Sequence, residues 1–158
     1  LVVVGPHVPD LVPLAEGAGA HACLLAEETP DMRATVEHGL RWLEVYFRPG
    51  PDDAWLLVPA DHPTLDPEVV RQLIRARADR PECSIFVPSF EGRRGHPTLI
   101  AWKHVAGIRA HPAGQGLNAY LRRHQADTLE WPAAGADVLC DLDTPEDYER
   151  SRRQFGGP

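Results

Sequence analysis

Acidic side chains carry most of the chemistry this chain can do. Asp61 follows the apolar run Trp55-Leu56-Leu57-Val58 and stands before His62-Pro63. The run reads as a buried strand, so Asp61 is expected at its carboxyl end, where open α/β sheets hold their ligands. Asp141 and Asp143 lie two apart in Asp141-Leu142-Asp143-Thr144-Pro145-Glu146-Asp147-Tyr148. On an extended segment residues so spaced face one side. With Asp61 they could hold Mg²⁺, a hard cation that takes one or two carboxylates plus substrate phosphates. The alternative makes Asp61 a turn former and Asp143 a helix cap.

Positive and polar groups that could meet an anion fall in two other segments. Arg93-Arg94-Gly95-His96-Pro97 offers two guanidinium groups beside a glycine, suited to gripping phosphate, with His96 to bind or orient a substrate. A solvated hairpin loop is the plainer reading. Asp31-Met32-Arg33-Ala34-Thr35-Val36 reads as a capped helix start, whose free N–H groups and partial positive charge favour anions. Arg33 and Thr35 there could meet a base, ribose or phosphate. Gly114-Gln115-Gly116 before another helix is a weaker anion candidate, without the phosphate-loop spacing. The eight histidines form no HExxH or HxH pattern, and no GxSxG elbow is present, so zinc and serine-hydrolase chemistry are disfavoured.

Alternating strand and helix signals must position these groups. Strands are expected at 1–4, 22–26, 55–58, 84–87, 98–102, 128–131 and 138–142, with 90–95 as a loop. Helices are expected at 10–18, up to about 48 after a Thr29 or Asp31 cap, from Pro67 after an Asp66 cap, at 103–107, after Gly116, and from Pro145 after a Thr144 or Asp143 cap. That order predicts an α/β fold with a mainly parallel central sheet and helices on both faces. The 158 residues suit one domain spanning 1–158. A net charge of −7 argues against a broad nucleic-acid face, and no apolar run reaches membrane-spanning length. Cys23, Cys83 and Cys140 are odd in number and widely spaced, which favours reduced thiols and a cytoplasmic location. Leu1-Val2-Val3-Val4-Gly5 already reads as a core strand, so upstream sequence is expected.

In order, the Asp31–Leu40 helix start, Leu57-Val58-Pro59-Ala60-Asp61-His62-Pro63, Gly92–Pro97 and Asp141–Tyr148 resemble the MobA-like nucleotidyltransferases, nearest the molybdenum-cofactor cytidylyltransferase type. The resemblance implies a Rossmann-like nucleotidyltransferase fold. It implies Mg²⁺-dependent transfer of NMP from CTP or GTP to a phosphorylated acceptor, with molybdopterin one candidate, and release of pyrophosphate. Carried over by position, Asp61 is the catalytic metal ligand and Asp141 or Asp143 the second. Thr35 approaches the base, and Gly95, His96 and Pro97 line the acceptor side. Two departures stand out. The family's first strand and Gly-rich triphosphate loop are not in this sequence. Pro59-Ala60-Asp61-His62 replaces the usual Gly-Asp-Gln, so His62 enters as a base- or acceptor-selecting residue. A sugar-nucleotide enzyme or glycosyltransferase of related fold, and a non-catalytic nucleotide-binding module, are the alternatives.

Overall fold

The computed structural model describes residues 1–155, which fall into two units. The first comprises Leu1–Asp53 and Trp102–Arg123. The second comprises Ala54–Ala101 and the chain from His124.

In the first unit β1 (Val2–Val4) pairs in parallel with β2 (Ala22–Leu24) across the short helix α1 (Leu11–Gly17). The expectation of a strand buried on both faces fails for β1. Val4 is buried but Val2 is 40% exposed, because β2 is the only strand paired with it among the described residues. Helix α2 (Met32–Phe47) starts at Asp31, whose carboxylate accepts from the Ala34 N–H at 2.8 Å. It lies against β1 at Gly39, where a Cβ would come within 3.0 Å of the Val3 side chain. A 3₁₀ turn (Trp102–His104) leads into α4 (Val105–Arg109), which precedes α5 (Leu117–Arg123). Gly107 lets α4 approach α5: a Cβ there would lie 2.5 Å from the Tyr120 hydroxyl. That hydroxyl is 2.9 Å from His104 Nδ1, so the buried imidazole has a partner.

The second unit is built on five strands: β3 (Ala54–Leu57), β4 (Ile85–Phe90), β5 (Arg93–Arg94), β6 (Thr98–Ala101) and β7 (Thr128–Pro132). β6 lies between β3 and β4 and is antiparallel to both, β5 is antiparallel to β4, and β7 is parallel to β4. The sheet is therefore mixed, and the expected mainly parallel sheet is corrected. The reason is connection length. Seven residues link β4 to β6, including the β5 hairpin, whereas a parallel return needs a crossover of about a dozen or more. The crossover through α3 (Pro67–Asp79) does leave β3 and β4 pointing the same way, with β6 inserted between them.

Register decides which side chains meet. Leu56, Leu99, Phe86 and Leu129 are successive partners across β3, β6, β4 and β7. They pack with Leu73 and Ala76 of α3, and Leu73 and Phe86 are fully buried. Each such side chain is worth about 1.5–3 kcal/mol over its exposed state. The Trp131 indole donates to Gln72 at 3.2 Å and ties β7 to the same helix. As expected, Asp66 caps α3, accepting from Glu68 N–H at 2.7 Å, with Pro67 in its first turn.

Two further expectations change. Residues 138–142 are not a strand. A 3₁₀ turn (Ala136–Leu139) occupies their start, and the Val138 carbonyl is taken by the His96 N–H at 2.8 Å rather than by a ladder. Arg93–Arg94, expected in a loop, pairs with β4 through a tight turn at Glu91 and Gly92, both at positive φ. Helix α6 (Pro145–Phe155) is capped by Thr144, whose hydroxyl and N–H meet the Asp147 carboxylate, so Asp143 is not the cap.

Candidate functional site

The second unit joins the two acidic signatures. The chain leaves β3 at Leu57 and turns through Pro59-Ala60-Asp61-His62, closed by a bond from His62 N–H to the Pro59 carbonyl at 3.3 Å. Asp61 thus sits four residues beyond the strand end, in a turn, rather than on the strand's last residue. The Leu142 N–H donates to the Asp61 carbonyl at 3.0 Å, which draws the segment carrying Asp141 to the same turn. The Asp61 side chain is 48% exposed, and its Oδ1 lies 3.8 Å from His62 Nε2.

His96 is the third contributor. Gly95 N–H donates to the Pro88 carbonyl at 2.8 Å, and a Cβ at Gly95 would lie 2.1 Å from the Val138 carbonyl oxygen. Only glycine permits this approach of the hairpin to the 136–139 turn. The neighbouring His96 ring meets the His62 ring edge-on, centroids 4.7 Å apart. Burial holds the His96 imidazole below its ordinary value of 6.5, and the adjacent His62 adds to this. Asp61, a bond to the Leu57 backbone and Asp141 pull the other way. Asp141 and Asp143 are both exposed, on either side of the half-buried Leu142. Arg94 is turned to Glu130, with Nη2 at 2.7 Å from its carboxylate, and Pro97 is buried after a cis peptide.

Beside this turn lies a cavity of about 150 Å³, lined by His62, His96, Thr64, Val69, Asp137 and Val138 among others. The Thr64 hydroxyl donates to the Asp137 carbonyl at 3.2 Å across it. Sequence reasoning missed Thr64 and the 133–138 loop. Nothing in Ala133-Ala134-Gly135 signals a ligand, although Thr64 stands only three residues after Asp61.

In the first unit, Arg33 Nη1 donates to the carbonyls of His111 and Pro112 at 2.9 and 3.0 Å. Its Nε lies 3.4 Å from Glu37, an ion pair not angled as a hydrogen bond. Arg33 thus ties the start of α2 to the loop before Gly114-Gln115-Gly116. The Thr35 hydroxyl shares a 2.5 Å bond with Thr29. A second cavity, about 230 Å³, lies between 25–30 and the first turns of α2.

Among the described residues no three His, Cys, Asp or Glu gather into a metal cage. Two carboxylates at one turn suit a divalent ion that arrives with substrate phosphates, which needs only one or two protein ligands. Cys23, Cys83 and Cys140 are free, and no described helix is long and apolar enough to cross a membrane.

This α/β architecture with a mixed sheet is shared by solved nucleotidyltransferase structures. Residues 1–128 match the model of the MobA-like NTP transferase domain, and the chain belongs to that family. A molybdenum cofactor guanylyltransferase of Rhodopseudomonas palustris (strain BisB5) is 32% identical over 130 residues, 78% of this chain and 60% of that protein. The chain therefore spans about 60% of the length of that curated relative. Rv0371c from Mycobacterium tuberculosis H37Rv superposes with a TM-score of 0.73 at 19% identity, over 99% of this chain and 75% of that one. A manganese complex of the same protein gives 0.61 at 19% identity, over 94% and 74%. A CMP:2-keto-3-deoxy-manno-octonic acid synthetase complexed with CTP gives 0.65 at 16% identity, over 98% and 80%.

Proposed function

We propose that this chain serves a nucleotidyltransferase that moves NMP from CTP or GTP to a phosphorylated small molecule. The observation that carries the reading is the bond from the Leu142 N–H to the Asp61 carbonyl, which brings the segment of Asp141, far away in sequence, to the Asp61 turn. Asp61 and Asp141 are the proposed metal ligands. Asp143, exposed like Asp141 and on the other side of Leu142, is the alternative second ligand. A bound Mg²⁺ or Mn²⁺ supplies charge neutralisation across the phosphates and the departing pyrophosphate. The manganese complex of the mycobacterial protein and the CTP complex of the synthetase favour a divalent ion and a nucleoside triphosphate.

In this reading an oxygen of the acceptor phosphate attacks the α-phosphorus in line. The new O–P bond forms as the bond to the β-bridging oxygen breaks, and pyrophosphate leaves with that electron pair. The acceptor phosphate is already anionic, so no general base is needed. The protein positions the reactants and neutralises charge. Arg33 and Thr35, at the α2 start, are proposed on the nucleotide side. His62, Arg94, Gly95, His96 and Pro97 are proposed on the acceptor side, with Gly95 holding His96 in place. A reducing, cytoplasmic setting suits the three free thiols.

The test is pyrophosphate release from each of CTP, GTP, ATP and UTP, and nucleoside diphosphate release from two sugar nucleotides, with Mg²⁺ or Mn²⁺ and phosphorylated acceptors. A pterin phosphate with GTP is the first pair to try, on the name of the 32%-identical relative. Metal-dependent release with CTP or GTP only is expected. Turnover of sugar nucleotides instead overturns the reading in favour of a glycosyltransferase. Binding of nucleotide without turnover favours a non-catalytic module.

A further inference from the structure

We infer that Tyr120 is a positioning residue for the nucleotide: it fixes the 111–112 loop, whose carbonyls hold Arg33 in orientation. The inference rests on the transferase reading, which puts Arg33 on the nucleotide side, and adds the group that aims it.

Three rings from three pieces of the first unit converge. Tyr120 of α5, His104 of the 3₁₀ turn and His111 of the loop after α4 are all buried. The Tyr120 hydroxyl lies 2.9 Å from His104 Nδ1. Its ring meets both imidazoles edge-on, with centroids 5.8 Å from His104 and 5.5 Å from His111. The phenol end is pressed against α4 at Gly107, where an added Cβ would lie 2.5 Å from the hydroxyl and 3.1 Å from the ring. Close packing of this kind leaves a side chain little room to shift. Phenylalanine would fill nearly the same volume; the hydroxyl adds a directed bond.

His111 passes that placement to the loop. Between the end of α4 and the start of α5 it is the one buried residue: Ala110, Pro112, Ala113, Gly114 and Gly116 are exposed and Gln115 is half-buried. The His111 side chain is therefore the anchor of the loop, and Tyr120 is a wall against which it rests.

Arg33 takes its orientation from that loop. Its Nη1 donates to the successive carbonyls of His111 and Pro112 at 2.9 and 3.0 Å. The buried Nε makes no hydrogen bond, and Glu37 offers only the 3.4 Å ion pair. A guanidinium is planar, so two bonds at one nitrogen set the attitude of the whole fork. Arg33 stands in the first turn of α2, and the next residue, Ala34, lines the cavity at that helix start. A displaced loop re-aims the guanidinium there, and a misplaced binding group weakens its ligand without touching the reacting atoms.

The experiment follows the Arg33 Nε–Hε NMR resonance of the whole protein, assigned by its loss in Arg33→Lys. Calorimetry with Mg²⁺ and CTP or GTP gives the nucleotide Kd, and pyrophosphate release gives KM and kcat. Tyr120→Phe should shift the Arg33 resonance and raise the nucleotide Kd and KM about threefold or more, with kcat within about twofold, the pattern of lost uniform binding. His104→Leu should do the same, and His104→Gln, whose amide can still meet the phenol, should recover at least half of the loss. The double variant Tyr120→Phe/His104→Leu should be no worse than either alone, because both remove one bond. Leu99→Ala, a core truncation in the second unit, should lower the melting temperature and leave the Arg33 resonance and the nucleotide Kd unmoved. That control separates positioning from lost stability. An unmoved Arg33 resonance or an unchanged Kd in Tyr120→Phe overturns the assignment, as does a fall in kcat at constant KM. Tyr120→Phe deletes one atom and decides the matter if His104→Leu fails to fold. The two readings fail separately. Pyrophosphate release indifferent to Tyr120→Phe removes the positioning role and leaves the transferase. Nucleotide binding weakened by Tyr120→Phe, in a protein that turns nothing over, does the reverse.

Discussion

Leu142 donates its backbone N–H to the carbonyl of Asp61 at 3.0 Å, and with that one bond two acidic segments from opposite ends of the second unit share a turn. Both are main-chain groups, so removing either carboxylate leaves the junction intact. Asp61→Ala and Asp141→Asn are therefore expected to keep the far-UV circular dichroism and melting temperature within experimental scatter. Metal neutralisation of a transferring phosphoryl group is worth several kcal/mol. Each substitution should thus lower kcat/KM for pyrophosphate release by about a hundredfold or more. With Asp141 as the second ligand, Asp143→Asn should cost less than about threefold, since that carboxylate does not cap α6. Equal losses at 141 and 143 would sink the two-carboxylate assignment.

Gly95 tests the architecture behind the site. A methyl group there would be driven into the Val138 carbonyl at 2.1 Å, a backbone atom that cannot swing aside. Gly95→Ala should separate the hairpin from the 136–139 turn and break the His96 to Val138 bond. Overpacking of this kind costs about 1–3 kcal/mol. For a chain of this size that is a melting temperature lower by about 2–12 °C. Differential scanning calorimetry reads it directly. Gly116→Ala, where nothing lies within 4 Å and φ is not positive, is the control for loss of a glycine without the contact.

The depressed His96 titration predicts a pH dependence of stability. Burial disfavours the imidazolium in the folded protein, so the unfolded chain binds the proton more readily. Between the unfolded value near 6.5 and the lower folded value, the unfolded state carries more protons and stability rises with pH. The contribution is complete above about pH 6.5 and fades as pH falls through the folded value. His96→Gln, which does not titrate, should flatten that part of the urea-midpoint profile between pH 5 and pH 7. An unaltered slope would mean that His96 is not the group responsible.

Arg33 separates holding from touching. Its Nη1 bonds two carbonyls of the 111–112 loop, with the side chain largely buried. Loss of charged hydrogen bonds of this kind costs about 1.5–3 kcal/mol. Arg33→Ala should lower the unfolding free energy by that amount and raise the nucleotide KM together with it. Arg33→Lys, which offers a point charge in place of a planar fork, should recover only part of the stability. A nucleotide effect with no stability loss would make Arg33 a pure substrate contact.

Helix starts, strand cores and the order of elements were legible in the chain because each is local. Asp31, Asp66 and Thr144 cap as their residue types predict, and Val4, Phe86 and Leu99 are buried as their apolar runs predict. The candidate residues Asp61, His62, His96 and Asp141 were also nameable in advance, since strand-end carboxylates and paired acids carry a chemical signature. Strand direction was not, because the short β4–β6 connection reads as two strands without saying which neighbour each will take. Nor was the loss of the strand expected at 138–142, where the carbonyl of Val138 is diverted to His96.

What the linear order of side chains determined was the inventory: the family, the capping groups, and the acids available to a divalent ion. The tertiary structure alone decided that the Leu142 N–H meets the Asp61 carbonyl, that Arg94 pairs with Glu130, and that His62 and His96 line one cavity. The physical reason is range. Capping and periodicity act within a turn or two of chain, while charge, close approach and cavity walls act through space between residues that folding alone makes neighbours.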